Sequence, residues 1–310
     1  MGSLPWSLVT TEPTPASGRR WMRWLVVGIV LVLLAAAVVL FARWLRGLEP
    51  VAEFIERFPG SYPLPDDAPV GLPAWLGWQH FFNLFLLVLI VRTGLTSRLE
   101  KRPPALWTSK RNRKRRMSIT VWLHLSLDVF WIANGVIYVV LLFATGQWMR
   151  IVPTSWDVIP NALSAGLQYA SLDWPLENSW VNYNSLQQLS YFTTVFVAAP
   201  LAIVTGARMS AFWPRHADRL NRAYPFAVAQ AVHLPVMIYF VAFVVAHVTL
   251  VLLTGALRNL NYMFASRDAG DWIGFGVFAL ALLAIAAGWA LIRPTVIDRI
   301  AAAFGEVLRR

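Results

Sequence analysis

The stretch AVHLPVMIYFVAFVVAHVTLVLLTG, residues 231–255, contains no charged residue and two histidines, His233 and His247, fourteen positions apart. At about 100° per residue that separation falls about 40° short of four full turns, so a helix here presents both imidazoles on one face. The rise between them is about 21 Å, a large part of the roughly 30 Å hydrocarbon core of a bilayer. The charge-free run around the pair covers residues 223–257, long enough to cross a membrane.

Similar runs occupy residues 24–42, 68–91, 178–207 and 272–292, and a sixth, about 119–145, is interrupted only by Asp128. With 57% apolar and only 14% charged residues, the chain reads as an all-α integral membrane protein of six transmembrane helices. The expected order is a tail (1–20), an additional N-terminal transmembrane helix (21–45) and a loop (46–74). A four-helix core (75–260) with a long loop at 146–186 follows, then a C-terminal transmembrane helix (271–293) and a tail (294–310). No loop exceeds about 45 residues, too short for a separate soluble catalytic domain. The absence of cysteine excludes thiolate-held iron–sulfur clusters, covalently attached c-type haem and disulfides. The 16 tryptophans read as interfacial belts. No internal repeat is visible.

Charge gives the expected topology. Residues 98–116 carry nine Lys or Arg against Glu100, and residues 208–222 carry four Arg against Asp218. Residues 43–67 and 146–186 have acidic excess. The sign alternates at each crossing, so the positive-inside rule places both termini and the two basic loops in the cytoplasm, in a bacterial cytoplasmic membrane. The run KRNRKRR (residues 110–116) reads as a topology anchor on anionic lipid, or a dock for an acidic partner, rather than a nucleic-acid site. The first span is too long and uniform for a signal-peptide core. Residues 155–175 read as an amphipathic helix lying on the outer interface.

Topology assigns depth to the histidines. His80, near the start of the second span, is on the outer side, and His124, near the start of the third, on the inner side. In the fifth span His233 is inner and His247 outer. The depths therefore pair His80 with His247 and His124 with His233. A neutral imidazole is a strong axial ligand for haem iron, and a porphyrin takes ligands on opposite faces. Four histidines at two matched depths predict a four-helix bis-histidine core holding two haem b groups, the histidines being the iron ligands. Separate interhelical contacts by each histidine are the bland alternative. A histidine-based proton channel or transporter without haem is the principal functional rival, and a structural anchor for a larger complex is a third reading.

Further candidates surround the ligands. Asp128 lies one helical turn beyond His124 and could orient an imidazole, move a proton or pair with Arg92. Arg208 and Arg258 at the membrane edges are candidates for haem propionates or lipid phosphate. Gly94, Gly135, Gly206 and Gly255 could admit a porphyrin edge or allow close helix packing. Pro235 could kink the helix beyond His233. Trp174, Trp180, Asn182 and Tyr183 are candidate outer-side neighbours of a quinone site, which should lie near one haem at an interface.

The segment Trp78-Gln79-His80-Phe81-Phe82, running on to Thr93-Gly94, resembles the first ligand helix of the bacterial cytochrome b561 superfamily. The similar branch is the di-haem membrane subunit of nickel–iron hydrogenases, formate dehydrogenases and thiosulfate reductases. Phe81 stands where that family places Trp, and the His233/His247 spacing with Val248 resembles its fourth helix. The resemblance covers about residues 75–260. It implies the same pairing of ligands and a non-catalytic subunit passing electrons between the quinone/quinol pool and a separately encoded redox subunit, of molybdopterin or iron–sulfur type. It also implies that the partner sits beside His124/His233 and quinone beside His80/His247. The extra N-terminal span inverts the core relative to the family's common orientation, which would let the loop of residues 98–116 dock the partner; docking at the opposite end would instead use the large outer loops.

Overall fold

A computed structural model describes residues 17–174, 178–214 and 216–309. The expected N-terminal tail lies outside the described residues up to position 16. The helices are α1 (Ser17–Arg46), α2 (Glu49–Arg57), α3 (Ala74–Leu99), α4 (Ile119–Ala144), α5 (Val158–Ala170) and α6 (Ser185–Thr193). They continue with α7 (Ala199–Met209), α8 (Asp218–Ala223), α9 (Phe226–Leu253), α10 (Ala256–Phe264), α11 (Ile273–Leu291) and α12 (Pro294–Phe304). Six helical stretches are long and apolar enough to cross a membrane: α1 from Trp21, α3, α4, the run from α6 through α7, α9 and α11. The protein is an all-α, multi-pass membrane protein with outward-facing apolar side chains along every span.

Local chemistry sets the helix ends. Ser118 caps α4 by accepting a bond from the Val121 amide (3.1 Å), and Asn184 and Gln187 form a reciprocal capping box at α6. Gly146, at φ +74°, stops the chain after α4 in a left-handed turn that strongly favours glycine. Between α6 and α7 the helix widens into a π turn over Thr194–Ala198. Pro200 follows it; its ring crowds the carbonyl four residues back and it has no N–H to donate, so the turn before it opens. Helix α9 continues through Pro235.

The ends of the bundle differ. At the basic end, residues expected as loop and tail form a three-stranded antiparallel sheet, ordered β2 (Arg116–Ser118), β1 (Ala105–Ser109), β3 (Gly305–Arg309). Trp107 of β1 is buried there against Ala301 and donates its indole N–H to the Ala301 carbonyl (3.2 Å). At the opposite, loop-rich end, α5 packs an unusual face. Asn161, Ser164 and Gln168 are buried, Asn161 accepting from the Gly60 amide and Gln168 donating to the Pro59 carbonyl and to Ser164, whereas Trp156, Ile159 and Leu163 are exposed. A helix that hides its polar side in protein and turns its apolar side outward is suited to a lipid interface.

Helix α1 stands largely apart, with Ala42 its one buried residue among those described. It is tied at the loop-rich end, where Arg43 donates to the Ser171 carbonyl (3.0 Å) and Arg46 pairs with Asp173 (2.6 Å). Arg92 on α3 does not meet Asp128. Its guanidinium donates to the carbonyls of Trp289 and Ile292 and lies over the Trp289 ring, capping the C-terminal end of α11, where helix carbonyls lack partners.

Candidate di-histidine sites in the helical core

Helices α3, α4, α6–α7 and α9 enclose the site. The fourth span and α9 pair closely, as do α3 and α4, so each candidate histidine faces a neighbouring span rather than lipid alone.

At the loop-rich end His80 of α3 and His247 of α9 meet. Their ring centroids are 6.1 Å apart, with the planes inclined at 63°. Two imidazoles on opposite sides of one metal, each at about 2.0 Å from nitrogen to metal, put their ring centroids about 6 Å apart. Phe243, one turn before His247, stacks on its imidazole at 5.6 Å and 5°, and Tyr191 meets it edge-on at 5.8 Å. Phe264 packs edge-on to His80 at 6.1 Å. Rings rather than hydrogen bonds fix this pair.

Both imidazoles border a cavity of about 460 Å³ between the four spans, within the range of cofactor pockets. Its walls include Trp131, Gly135, Val139, Thr194, Pro200 and Phe240. The π turn thus lies against the space that the histidines face, and Thr194 is held there by the Tyr239 hydroxyl at 2.8 Å. At Gly135 a Cβ would meet nothing within 4 Å, so this glycine adds room to the cavity wall. A smaller cavity of about 200 Å³ opens from the same two histidines toward Tyr169, Ser179 and Leu260.

The other pair is built differently. His124 Nδ1 lies 3.0 Å from Thr93 Oγ1, and His233 Nδ1 lies 2.8 Å from Thr205 Oγ1. Each threonine also reaches carbonyls of its own helix: Thr93 those of Leu89 and Ile90 at 2.9 and 3.0 Å, Thr205 those of Leu201 and Ala202 at 2.6 and 3.1 Å. A hydroxyl has one proton and two lone pairs. All the groups are satisfied when the hydroxyl donates to the helix carbonyl and accepts from Nδ1–H. That arrangement leaves the imidazole lone pair on Nε2, the form that binds a metal. The next residue completes each seat. A Cβ at Gly94 would stand 3.2 Å from His124 Cε1, and one at Gly206 would stand 3.5 Å from His233 Cε1. Gly94 and Gly206 therefore make room for imidazoles.

The His124 and His233 rings do not touch each other, and neither cavity above reaches them. The Asp128 carboxylate stands 3.7 Å from His124 Nε2, beyond hydrogen-bond reach. The residues fit a bis-imidazole group at the loop-rich end by spacing and room, and at the basic end by donor chemistry. Among the described residues no cluster of three or more His, Cys, Asp or Glu gathers around a point; two-ligand haem ligation does not call for one.

No family model, curated protein or solved structure matches the chain.

The remaining sequence candidates have other partners. Arg208 donates to the Tyr224 carbonyl (2.7 Å) and lies over the Trp213 ring. Arg258 forms a two-point pair with Asp268 (2.9 and 3.2 Å), which holds the Asp268 carboxyl below its usual range. Gly255, at φ +136°, turns the chain between α9 and α10. Asn182 bonds the Tyr62 carbonyl (2.9 Å), and Trp174 lines neither cavity. Tyr183 lines both cavities; burial pushes its phenol up, and the neighbouring Arg150 guanidinium pulls the other way.

Thr205 and Arg150 were not among the sequence candidates. The signal for Thr205 was present, since Thr-Gly precedes His124 by 31 residues and His233 by 28, counted from the threonine.

Proposed function

We propose that the protein is a di-haem b-type membrane cytochrome of the cytochrome b561 kind, a subunit that passes electrons between quinone or quinol and a separately encoded redox protein. The observation that carries this reading is the placement of four intramembrane histidines: His80 meets His247 at 6.1 Å beside the core cavity, and His124 and His233 are each seated on a Thr-Gly of the preceding span. A haem b held by two imidazoles supplies one-electron exchange at iron with no open position for oxygen.

The chain's own residues do the rest. Thr93 and Thr205 hold Nδ1–H and present Nε2; Phe243, Tyr191 and Phe264 clamp the other two rings. Helix α9 carries one ligand of each pair about 21 Å apart along its axis, so a single rigid element sets the spacing of the two centres. Trp131, Phe240 and the apolar cavity wall exclude water between them. On the positive-inside assignment the basic end is cytoplasmic, its Lys110–Arg116 surface faces anionic lipid or an acidic partner subunit, and quinone approaches the His80/His247 end beside the smaller cavity.

Purified protein is expected to show a reducible b-type optical spectrum and two haems per chain. A folded, colourless preparation would favour the second reading, a histidine proton path. That reading draws on Asp128, whose carboxylate lies 3.7 Å from His124 Nε2.

A further inference from the structure

Arg150 is the largest side chain that is fully buried among the described residues, at 1% exposure. It sits in the short 3₁₀ turn Gln147–Arg150 that follows α4 at the loop-rich end. Its Nη1 donates to the carbonyls of Gly71 and Trp180, both at 3.1 Å, and its Nη2 to that of Ser179. The Tyr183 ring lies under it, 4.7 Å from ring centre to guanidinium carbon. Its Nε is buried and has no partner, and no Asp or Glu pairs with it among the described residues.

A buried guanidinium keeps its proton, and uncharged carbonyls solvate its N–H groups without cancelling its charge. Such a site is completed by an anion. The cavity of about 460 Å³ that Arg150 borders is also lined by His80 and His247, so a ligand filling it lies against all three residues. The walls are mainly apolar along the spans and become polar at this end, with Gln147, Tyr138 and Tyr183 beside Arg150. They suit an apolar plate with an acidic edge.

We propose that Arg150 anchors a carboxylate of the cavity's ligand. This rests on the di-haem reading, on which the carboxylate is a propionate of the tetrapyrrole held by His80 and His247. Arg208 and Arg258, the sequence candidates for this role, are occupied by the Tyr224 carbonyl and by Asp268. The contact would be charge-assisted and shielded from water, so it is stronger than the same pair on a surface.

The test uses the full chain in detergent with His124→Ala, which on this reading leaves only the His80/His247 site. The apoprotein is titrated with haem b and with haem b dimethyl ester, whose carboxylates are capped. The ester is expected to bind at least about tenfold more weakly, a difference of about 1.4 kcal/mol. Arg150→Gln should remove that preference by weakening haem b alone, and Arg150→Lys should keep part of it. Equal binding of haem and ester to the chain with Arg150 overturns the proposal, as does an undiminished preference in Arg150→Gln. Because Arg150 also ties three loop carbonyls, Arg150→Gln could fail to fold; the comparison on the chain with Arg150 then decides. Binding of neither compound overturns the haem reading and this proposal together, whereas equal binding of both overturns this proposal alone.

Discussion

Replacing Thr205 by Val probes the best-defined part of the basic-end site. Valine has nearly the same shape and branching, so it leaves no cavity and removes only the hydroxyl. The bond lost is short, 2.8 Å to His233 Nδ1, and Thr205 is 2% exposed, so water cannot take its place. His233, part-buried in an apolar span, then keeps an N–H with no acceptor, at a cost of about 1–3 kcal/mol. Loss of such an outer partner weakens metal binding by about 10–100-fold, which is the same range of energy. The loss of the hydroxyl's bond to the Leu201 carbonyl adds little, since back-bonding of this kind does not support a helix. The assay is haem transfer from the purified protein to an excess of a haem-scavenging apoprotein, followed optically. The haem at His124/His233 should leave about 10–100-fold faster in Thr205→Val, and the haem at His80/His247 at its original rate. Thr205→Ser, which keeps the hydroxyl, should restore most of the difference. Unchanged release in the Val variant, equal acceleration at both sites, or a Ser variant as impaired as Val would refute the reasoning.

Other expectations follow from the same geometry. Gly94→Ala places a methyl 3.2 Å from His124 Cε1 and should shift the basic-end spectrum, whereas Gly206→Ala, at 3.5 Å from His233, should be better tolerated; optical and low-temperature resonance spectra of the two variants distinguish these outcomes. The two haems should differ in potential. Nδ1 hydrogen bonds enrich His124 and His233, while His80 and His247 lie on the cavity that Arg150 borders, so a redox titration should show the higher-potential wave disappearing in His80→Ala. Asp268 should titrate below its ordinary 3.8 because Arg258 favours its charged form. The turn joining α10 to α11 therefore keeps this pair above that range and loses it as pH falls through the lowered value; Arg258→Gln should bring the carboxyl signal in an NMR titration back up.

The six spans were legible because the bilayer demands long uncharged runs, and residues 223–257 or 272–292 admit no other reading. Helix geometry and the order of the spans put His80 level with His247, and these two rings meet in the structure. What was hidden depends on residues distant in sequence. Strand β3 pairs with β1, Trp107 opposite Val307, across about 200 residues of chain, so no connecting turn advertises that pairing. Arg92 was a candidate partner of Asp128, yet it caps a helix about 200 residues away. Arg150 was one cation in an acidic loop until folding buried it against backbone carbonyls. Thr93 belonged to a recognised dipeptide, but its bond to His124 needed two helices in register. The π turn before Pro200 has no sequence signature beyond the proline itself. In α5 the apolar pattern marked a two-faced helix, but periodicity alone could not say that the polar face would be the buried one.

The most direct measurement is the haem-to-protein ratio, with its optical spectrum, across four single variants of the full chain. The account predicts two haems per wild-type chain and one in each of His80→Ala, His247→Ala, His124→Ala and His233→Ala. It further predicts that the first two variants share one residual spectrum and the last two share the other. A wild-type protein that folds without haem, or residual spectra that pair His80 with His124 or with His233, would contradict it.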